Sequence, residues 1–479
     1  MPDLAETLRR VVGGRHLLVG EALEDYRHDG TFMEGTPLLA VRPGSTQEVA
    51  DVVRSCAEVG MPVVARGAGS SLVGGPVPVS GGVVLHLDRL DHLEIDSGNL
   101  CAVAGAGVIT GRLQEAAAEY GLMYPPDPAS ADMSTIGGNV ACNSGGMSCL
   151  KYGVTADYVI GMTVVLADGQ VVRLGGKLRK RSSGYRLMSL FVGSEGTLGV
   201  VTEVILKLVP LPRHRSTAMV GYDSIEEAAE AVSRLLVSGH LPAGLELMDR
   251  HAVAMVGAHL PAGFKTELEA VLIVEQDGSD PHHVLAQLSE MVELLRGVDN
   301  RVAQTEAERA GIWKARRQFG HVLLANRKNF FAEDVAVPVS QIAEMVRRFT
   351  ALATRHGVTI ATVGHAGDGN LHPCILFTDA QRPLVGPIAG RIFRDALELG
   401  GSISAEHGLG ALKRDYAELE HGPEAMELMG RLKRTFDPKG ILNPHKVFPE
   451  GPADDAFLER QPGWGTKLAS GRDRAELGA

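Results

Sequence analysis

"ARGAGSSLVGG", residues 65–75, follows the short apolar run "MPVV" and packs four glycines and two serines into eleven positions. Glycines permit positive φ and close backbone approach, while amide N–H groups and serine hydroxyls donate to anionic oxygens. A strand ending in such a loop can therefore cradle phosphate. The dinucleotide fingerprint of a doubly wound sheet is nevertheless missing, because Leu72 stands where the last glycine after Gly67-Ala68-Gly69 is required. "GAGVITG" (105–111) fails the same spacing, and no Walker A motif occurs.

The flanking elements point the same way. In "STQEVADVVRSCAEVG" (45–60), Ser45 and Glu48 have capping-box spacing, Val49, Val52, Val53 and Cys56 share one helical face, and Gly60 stops the helix. "GGVVLHLDRL" and "CAVAGAG" read as strands and "ITGRLQEAAAEYG" as a helix closed by Gly121. "YVIGMTVVLADGQVVRL" reads as a hairpin turning at Asp168-Gly169. Hairpins in place of regular strand–helix alternation indicate an α+β fold.

Two further glycine-rich stretches belong to this half: "PPDPASADMSTIGGNVACNSGGMSCLKYG" (125–153) and "VGSEGTLGVVTEV" (192–204). The first has a high ordering cost and few apolar groups to offset it unless a ligand fills it. Three such loops suit a large, polyphosphate-bearing ligand.

A length of 479 residues predicts about two to four domains. The formal net charge of −11 disfavours a nucleic-acid partner. The basic run "GGKLRKRSSGYR" (175–186) reads as a solvated loop. Five scattered cysteines without a CxxC pair argue against a disulfide framework or an iron–sulfur site and fit a reducing, cytoplasmic setting. The start "MPDLAETLRR" lacks an apolar signal core, and no apolar run reaches membrane-spanning length. Membrane association would be peripheral, at the inner face.

Texture changes at "LVPLPRHRS" (208–216). Beyond it "STAMVGY", "AGLELMD", "EAVLIVEQD", "AEDVAVPV", "TIATVGHAG" and "NLHPCILF" read as strands, with amphipathic helices near 224–238, 282–296, 340–356 and 382–399. This predicts an N-terminal segment over 1–35, a first domain over 36–213 and a second α+β domain over 214–435. A return to the first domain over 436–450 and a loose tail over 451–479 complete the chain. Within the second domain, "GHAGDGNLHP" (364–373) places His365 and His372 either side of a tight turn, so the pleat can put both imidazoles on one face. With Glu406 of "SAEHGLG" they make an open two-nitrogen, one-oxygen site for a divalent ion. Asp368 and Asn370 serve the turn itself.

The order Arg66–Gly75, Thr135–Gly138, Lys151–Gly153, Gly193–Thr202 and Asn443–Lys446 resembles the flavoproteins with a vanillyl-alcohol-oxidase, or PCMH-type, FAD domain over roughly residues 36–450. The resemblance implies that domain plus an α+β cap with an antiparallel sheet. It implies that Arg66, Gly67, Ala68, Gly69, Ser70, Ser71 and Gly74 bind the FAD pyrophosphate. Pro126, Asp127, Ser130, Thr135, Gly137, Gly138, Asn139, Asn143, Gly145, Gly146, Tyr152 and Gly153 are implied to line the rest of FAD. So are Glu195, Gly196, Gly199, Val200, Val201 and Asn443. Some relatives tether FAD to His or Cys in the first loop; Ser70 and Ser71 stand here, which implies non-covalent FAD.

"GHAGDGNLHP" and "SAEHGLG" are similar to the metal site of the FAD-linked D-2-hydroxy-acid dehydrogenases. That similarity implies His365, His372 and Glu406 as ligands, with zinc the first choice and iron or manganese suited as well. It also implies His407 as the base and Arg316 of "IWKARRQFG" (312–320) as the grip on the substrate carboxylate. Ala332 and Cys374 stand where the 2-hydroxyglutarate branch has Lys and Asn, which implies a smaller acid such as glycolate or D-lactate. "HP" followed by "ILF" and the "NRKNFF" segment also resemble the glycolate oxidase FAD-binding subunits more than that branch. Reduced FAD then needs a quinone, a cytochrome, an electron-transfer flavoprotein or an iron–sulfur subunit, and a homodimer is compatible. The rival readings are a metal-independent alcohol or sugar oxidase on the same fold and a non-catalytic subunit holding FAD and metal.

Overall fold

The computed structural model describes residues 2–261, 263–325, 329–461 and 463–464; the first three residues of "NRKNFF" and the tail beyond 464 lie outside the described residues. The first half builds two sheets. Leu17–Leu18, Leu39–Val41, Val83–His86 and Val63–Arg66 lie in that order, the last three parallel. Helix Thr46–Glu58 buries Val49, Val52, Val53 and Cys56 against Val63, Val83 and Leu85 of this sheet. Ser45 accepts the Glu48 N–H at 3.1 Å, whereas the Glu48 carboxylate takes the Gly44 N–H at 2.7 Å, one residue short of the full capping box.

Leu93–Asp96, Cys101–Gly105, Val200–Lys207, Val159–Val165 and Val171–Gly175 form the second, antiparallel sheet. Its hairpin turns at Asp168-Gly169, where Gly169 has φ +80. The basic run projects from the end of Val171–Gly175 and stays exposed, with Lys177 paired to Glu94 and Asp96. The chain returns here near its end: Val63 N–H donates to Ile441 O and Asn443 N–H to Val63 O, both at 2.8 Å.

The second half is one antiparallel sheet ordered Asp299–Val302, His214–Tyr222, Ala270–Gly278, Gly244–Asp249, Thr359–His365, Asn370–Phe377, Asn329–Ala332. Successive side chains alternate between its faces. Leu245, Leu247, Leu272, Val274 and Ile375 point to one face, covered by helices Ile225–Val237, Pro281–Leu295, Ile342–His356 and Val385–Glu398. Met248, Val271, Ile273, Val363 and Cys374 point to the other, against helices Arg250–Val256 and Glu306–Ala325. Glu246, His365 and His372 share the parity of this second face.

The strand expected over "AEDVAVPV" is interrupted at Glu333–Asp334: Ala332 ends Asn329–Ala332 opposite Cys374, and Val335–Ala336 resumes against the same neighbour in the same register, Val335 opposite Leu371. Glu333 N–H still donates to Pro373 O at 3.0 Å, but Pro373 has no N–H to return. Glu333 meets the Lys413 ammonium at 2.8 Å, and one Asp334 oxygen collects the N–H groups of Ala405, Glu406 and His407. A carboxylate with those partners is stable inside, where an unpaired one is costly.

Candidate active site

The hairpin Thr359–His365 and Asn370–Phe377 pairs His365 with Asn370 and Val363 with His372, so the imidazoles sit diagonally on one face, ring centroids 5.3 Å apart. The third member arrives from a loop that strand geometry alone does not place. Asp334 does that work: its Oδ2 accepts from Ser404 Oγ at 2.8 Å and from the Ala405, Glu406 and His407 amides at 2.9, 3.1 and 3.0 Å. The Glu406 carboxylate then lies 3.8 Å from His365 Nε2 and 3.4 Å from His372 Nε2. These three donors fall within 4.8 Å of one another, as do those of Asp334, His372 and His407.

Electrostatics suits a cation there. Burial raises the Glu406 pKa, but His365, His372 and His407 override it and pull the carboxyl down to about 2. Burial pushes His372 down to about 4, leaving a neutral imidazole with a lone pair to offer. Burial also opposes charge on His365, yet Glu246 and Glu406 hold its pKa well above the usual range. Two imidazole nitrogens and one carboxylate oxygen converge here, and a divalent ion would take the place of the proton that Glu246 and Glu406 hold on His365.

Next to this cluster opens a cleft with about 1360 Å³ of atom-free space, its mouth included. The three glycine-rich loops line it, and so do Glu406 and His407. Two buried polar atoms in its lining residues, Arg66 Nη1 and Asn443 Oδ1, have no protein partner. A ligand with both phosphate oxygens and ring donors satisfies both, which fits FAD.

Residues 37–175 match the family described as FAD binding domain, and 211–447 the one described as FAD linked oxidases, C-terminal domain. The chain is 42% identical over 445 residues to glycolate oxidase subunit GlcD of Bacillus subtilis, spanning 91% of this chain and 94% of that protein. This chain belongs to the FAD-linked oxidase family. D-lactate dehydrogenase of Anaerostipes hadrus is 36% identical over 93% of this FAD-linked oxidase and 97% of its own length. A solved structure of p-cresol methylhydroxylase with substrate bound matches at TM-score 0.77 and 18% identity, covering 94% and 97% of the two chains, and so shares the PCMH-type fold. The protein is thus an FAD-linked oxidoreductase.

In this FAD-linked oxidase the cleft brings together Arg66, Gly67, Ala68, Gly69, Ser70, Ser71, Ser130, Thr135, Gly137, Gly138 and Asn139. Glu195, Gly196, Gly199, Val200, Val201 and Asn443 join them. The Glu195 carboxylate is itself engaged by the Leu409 and Gly410 amides, both at 2.8 Å. Eight residues named with these from sequence lie off the cleft lining. Gly74 N–H donates to Asp29, Pro126 O accepts from Gln114, and Asn143 takes the Ala156 N–H. Asp127 accepts from Ser148, and Gly146 packs against the Asp127 backbone. Tyr152 OH donates to Asp277 of the cap at 2.7 Å, Gly153 packs against Asp157, and Gly145 abuts the Glu406 carboxylate.

Arg316 also has an unforeseen partner: its Nε and Nη2 lie 3.0 and 2.9 Å from Glu246 Oε2. The other oxygen of Glu246 meets His365 Nδ1 at 2.5 Å. Sequence reasoning missed Glu246 and Asp334. The signal was there, as carboxylates in the middle of the apolar runs "GLELMD" and "AEDVAV".

Proposed function

We propose that this FAD-linked oxidase oxidises a small D-2-hydroxy acid of the glycolate or D-lactate class to the 2-oxo acid and passes the electrons to an acceptor other than NAD. The observation that carries it is one loop serving two sites: Glu406 belongs to the histidine cluster, and both Glu406 and His407 line the flavin cleft. The names of the relatives support the substrate class. When bound, FAD would supply the hydride acceptor and a divalent ion, zinc first, would acidify the substrate hydroxyl.

The remaining work falls to the chain. His365, His372 and Glu406 hold the ion. His407 takes the hydroxyl proton, its Nε2 lying 3.8 Å from Glu406 Oε1 and its Nδ1 4.0 Å from Asp334 Oδ2. Arg316, anchored by Glu246, offers its remaining N–H groups to the carboxylate. The substrate loses one proton and one hydride, and its C–O bond becomes a carbonyl. Non-covalent FAD is supported by Ser70 and Ser71, and by Cys142 in the cleft lining, whose thiol burial pushes up to about 12.

No helix of the described residues is long and apolar enough to cross a membrane. We assign the enzyme to the cytoplasm or the inner membrane face, delivering electrons to a quinone, a cytochrome, an electron-transfer flavoprotein or an iron–sulfur subunit. An anaerobic scan of 2-hydroxy acids, with metal analysis of the same sample, tests the reading. Glycolate or D-lactate should bleach the flavin in protein carrying one divalent ion. Stoichiometric FAD that no 2-hydroxy acid bleaches rejects it.

A further inference from the structure

Behind the flavin cleft lies a second cavity, with about 620 Å³ of atom-free space including its mouth. Arg215, Arg309, Arg317, Glu275, Trp313 and Asp127 line it. A thin wall separates the two: Asp127 faces this cavity while Pro128, Ala129 and Ser130 face the cleft, and Ser148 and Ser144 divide in the same way. At its floor Gly244 shares a sheet face with Glu246, two residues on, which holds Arg316 and His365. Asp127 is close enough to His365 and Glu246 to feel both charges.

The walls carry an excess of guanidinium. Three guanidiniums face two carboxyls, Glu275 and Asp127; Glu275 answers Arg215 at 3.5 Å and Arg309 at 3.0 Å, and also accepts the Trp313 indole N–H at 2.6 Å. Arg309 has a second partner in Glu306 at the surface. Arg317 is exposed and has no ion pair among the described residues. In a chain of formal charge −11 this is a local reversal of sign.

We propose that this cavity is an antechamber that collects small carboxylate anions and delivers the substrate to the Arg316–His365 end of the site once FAD fills the large cleft. The inference rests on the substrate reading above. Cationic walls raise the local concentration of an anion and its rate of arrival.

Two measurements on the FAD-loaded protein test it. With Trp464→Phe, Trp313 is the remaining tryptophan of the two in the chain. Iodide should then quench its fluorescence several-fold more than caesium, glycolate should protect it, and Arg317→Gln should abolish the preference. In anaerobic flavin reduction by glycolate or D-lactate, Arg317→Gln should lower the second-order rate constant roughly threefold to tenfold and flatten its salt dependence. The limiting rate at saturating substrate should hold. Lys314→Gln, exposed on the same helix but outside the cavity, should change nothing. Equal quenching by iodide and caesium, or an Arg317→Gln effect on the limiting rate alone, overturns the antechamber. If no 2-hydroxy acid bleaches the flavin yet the iodide preference depends on Arg317, the substrate reading falls and the anion cavity stands.

Discussion

Glu246 has no solvent exposure, yet its two carboxylate oxygens bind His365 Nδ1 and the Arg316 guanidinium. By accepting at Nδ1 it orients the ring so that Nε2 faces Glu406, the arrangement that tunes a metal-ligating histidine. Glu246→Gln should therefore weaken divalent-ion binding by about tenfold to a hundredfold. Competition against a chelator measures this, and unchanged affinity would separate Glu246 from the ion. His407→Asn should retain FAD and slow anaerobic flavin reduction by roughly a hundredfold or more. Near-normal reduction removes His407 from the role of base. Asp127 gives a pH signature: burial pushes its carboxyl up to about 7 from 3.8. Between those values the folded chain keeps a proton the unfolded chain has lost, so stability falls as pH rises through the window and levels off above it. The full cost is at most about 4 kcal/mol. Denaturant titrations at pH 5 and pH 8 should show the drop in the native protein and little of it in Asp127→Asn.

At the scale of elements, the hairpin bearing the two histidines depends on its turn. Gly369 has φ +82, and a Cβ there would lie 2.0 Å from Val337 O. Gly369→Ala should cost about 2 kcal/mol or more and disturb the histidine cluster more than the cleft. Thermal melts paired with metal and FAD content check this; equal loss of both would show that the hairpin is not a separate support. Most cap strands and helices were readable because burial on one face leaves a period of two or of about 3.6 in the apolar residues. Helix Glu306–Ala325 carries Ile312, Trp313 and Phe319 inward among many charges, so its pattern is faint. The "AEDVAVPV" strand comes out in two pieces of one register because Pro373, opposite Glu333, has no N–H to donate, a break that β-propensity of the segment itself does not register.

At the scale of the whole molecule, long-range polar contacts lock the two halves. Glu195 of a cleft loop holds the Leu409 and Gly410 amides just past His407. Lys151 and Tyr152 grip Asp277 of the cap sheet. A rigid junction of this kind keeps a reacting carbon against the flavin, where small misplacements are costly. If the cation belongs to that junction, EDTA treatment should abolish flavin reduction by glycolate or D-lactate while the flavin stays bound, and added divalent ion should restore it. Reduction indifferent to chelation would remove the metal from the chemistry.

The α+β class, the glycine loops, the paired histidines and Glu406 were legible in the amino-acid order, because turn chemistry and ligand-type side chains act over a few residues. The tertiary structure alone revealed that Glu246 ties Arg316 to His365, that Asp334 delivers the 406–407 loop, and that the Tyr152 hydroxyl bonds Asp277 of the cap. Those facts depend on buried charges finding partners across 70 residues or more of chain, as Glu246 does with Arg316 and Asp334 with Ser404. Local periodicity carries no record of such pairings. Only the packed interior, where an unpaired charge is too costly to keep, selects them.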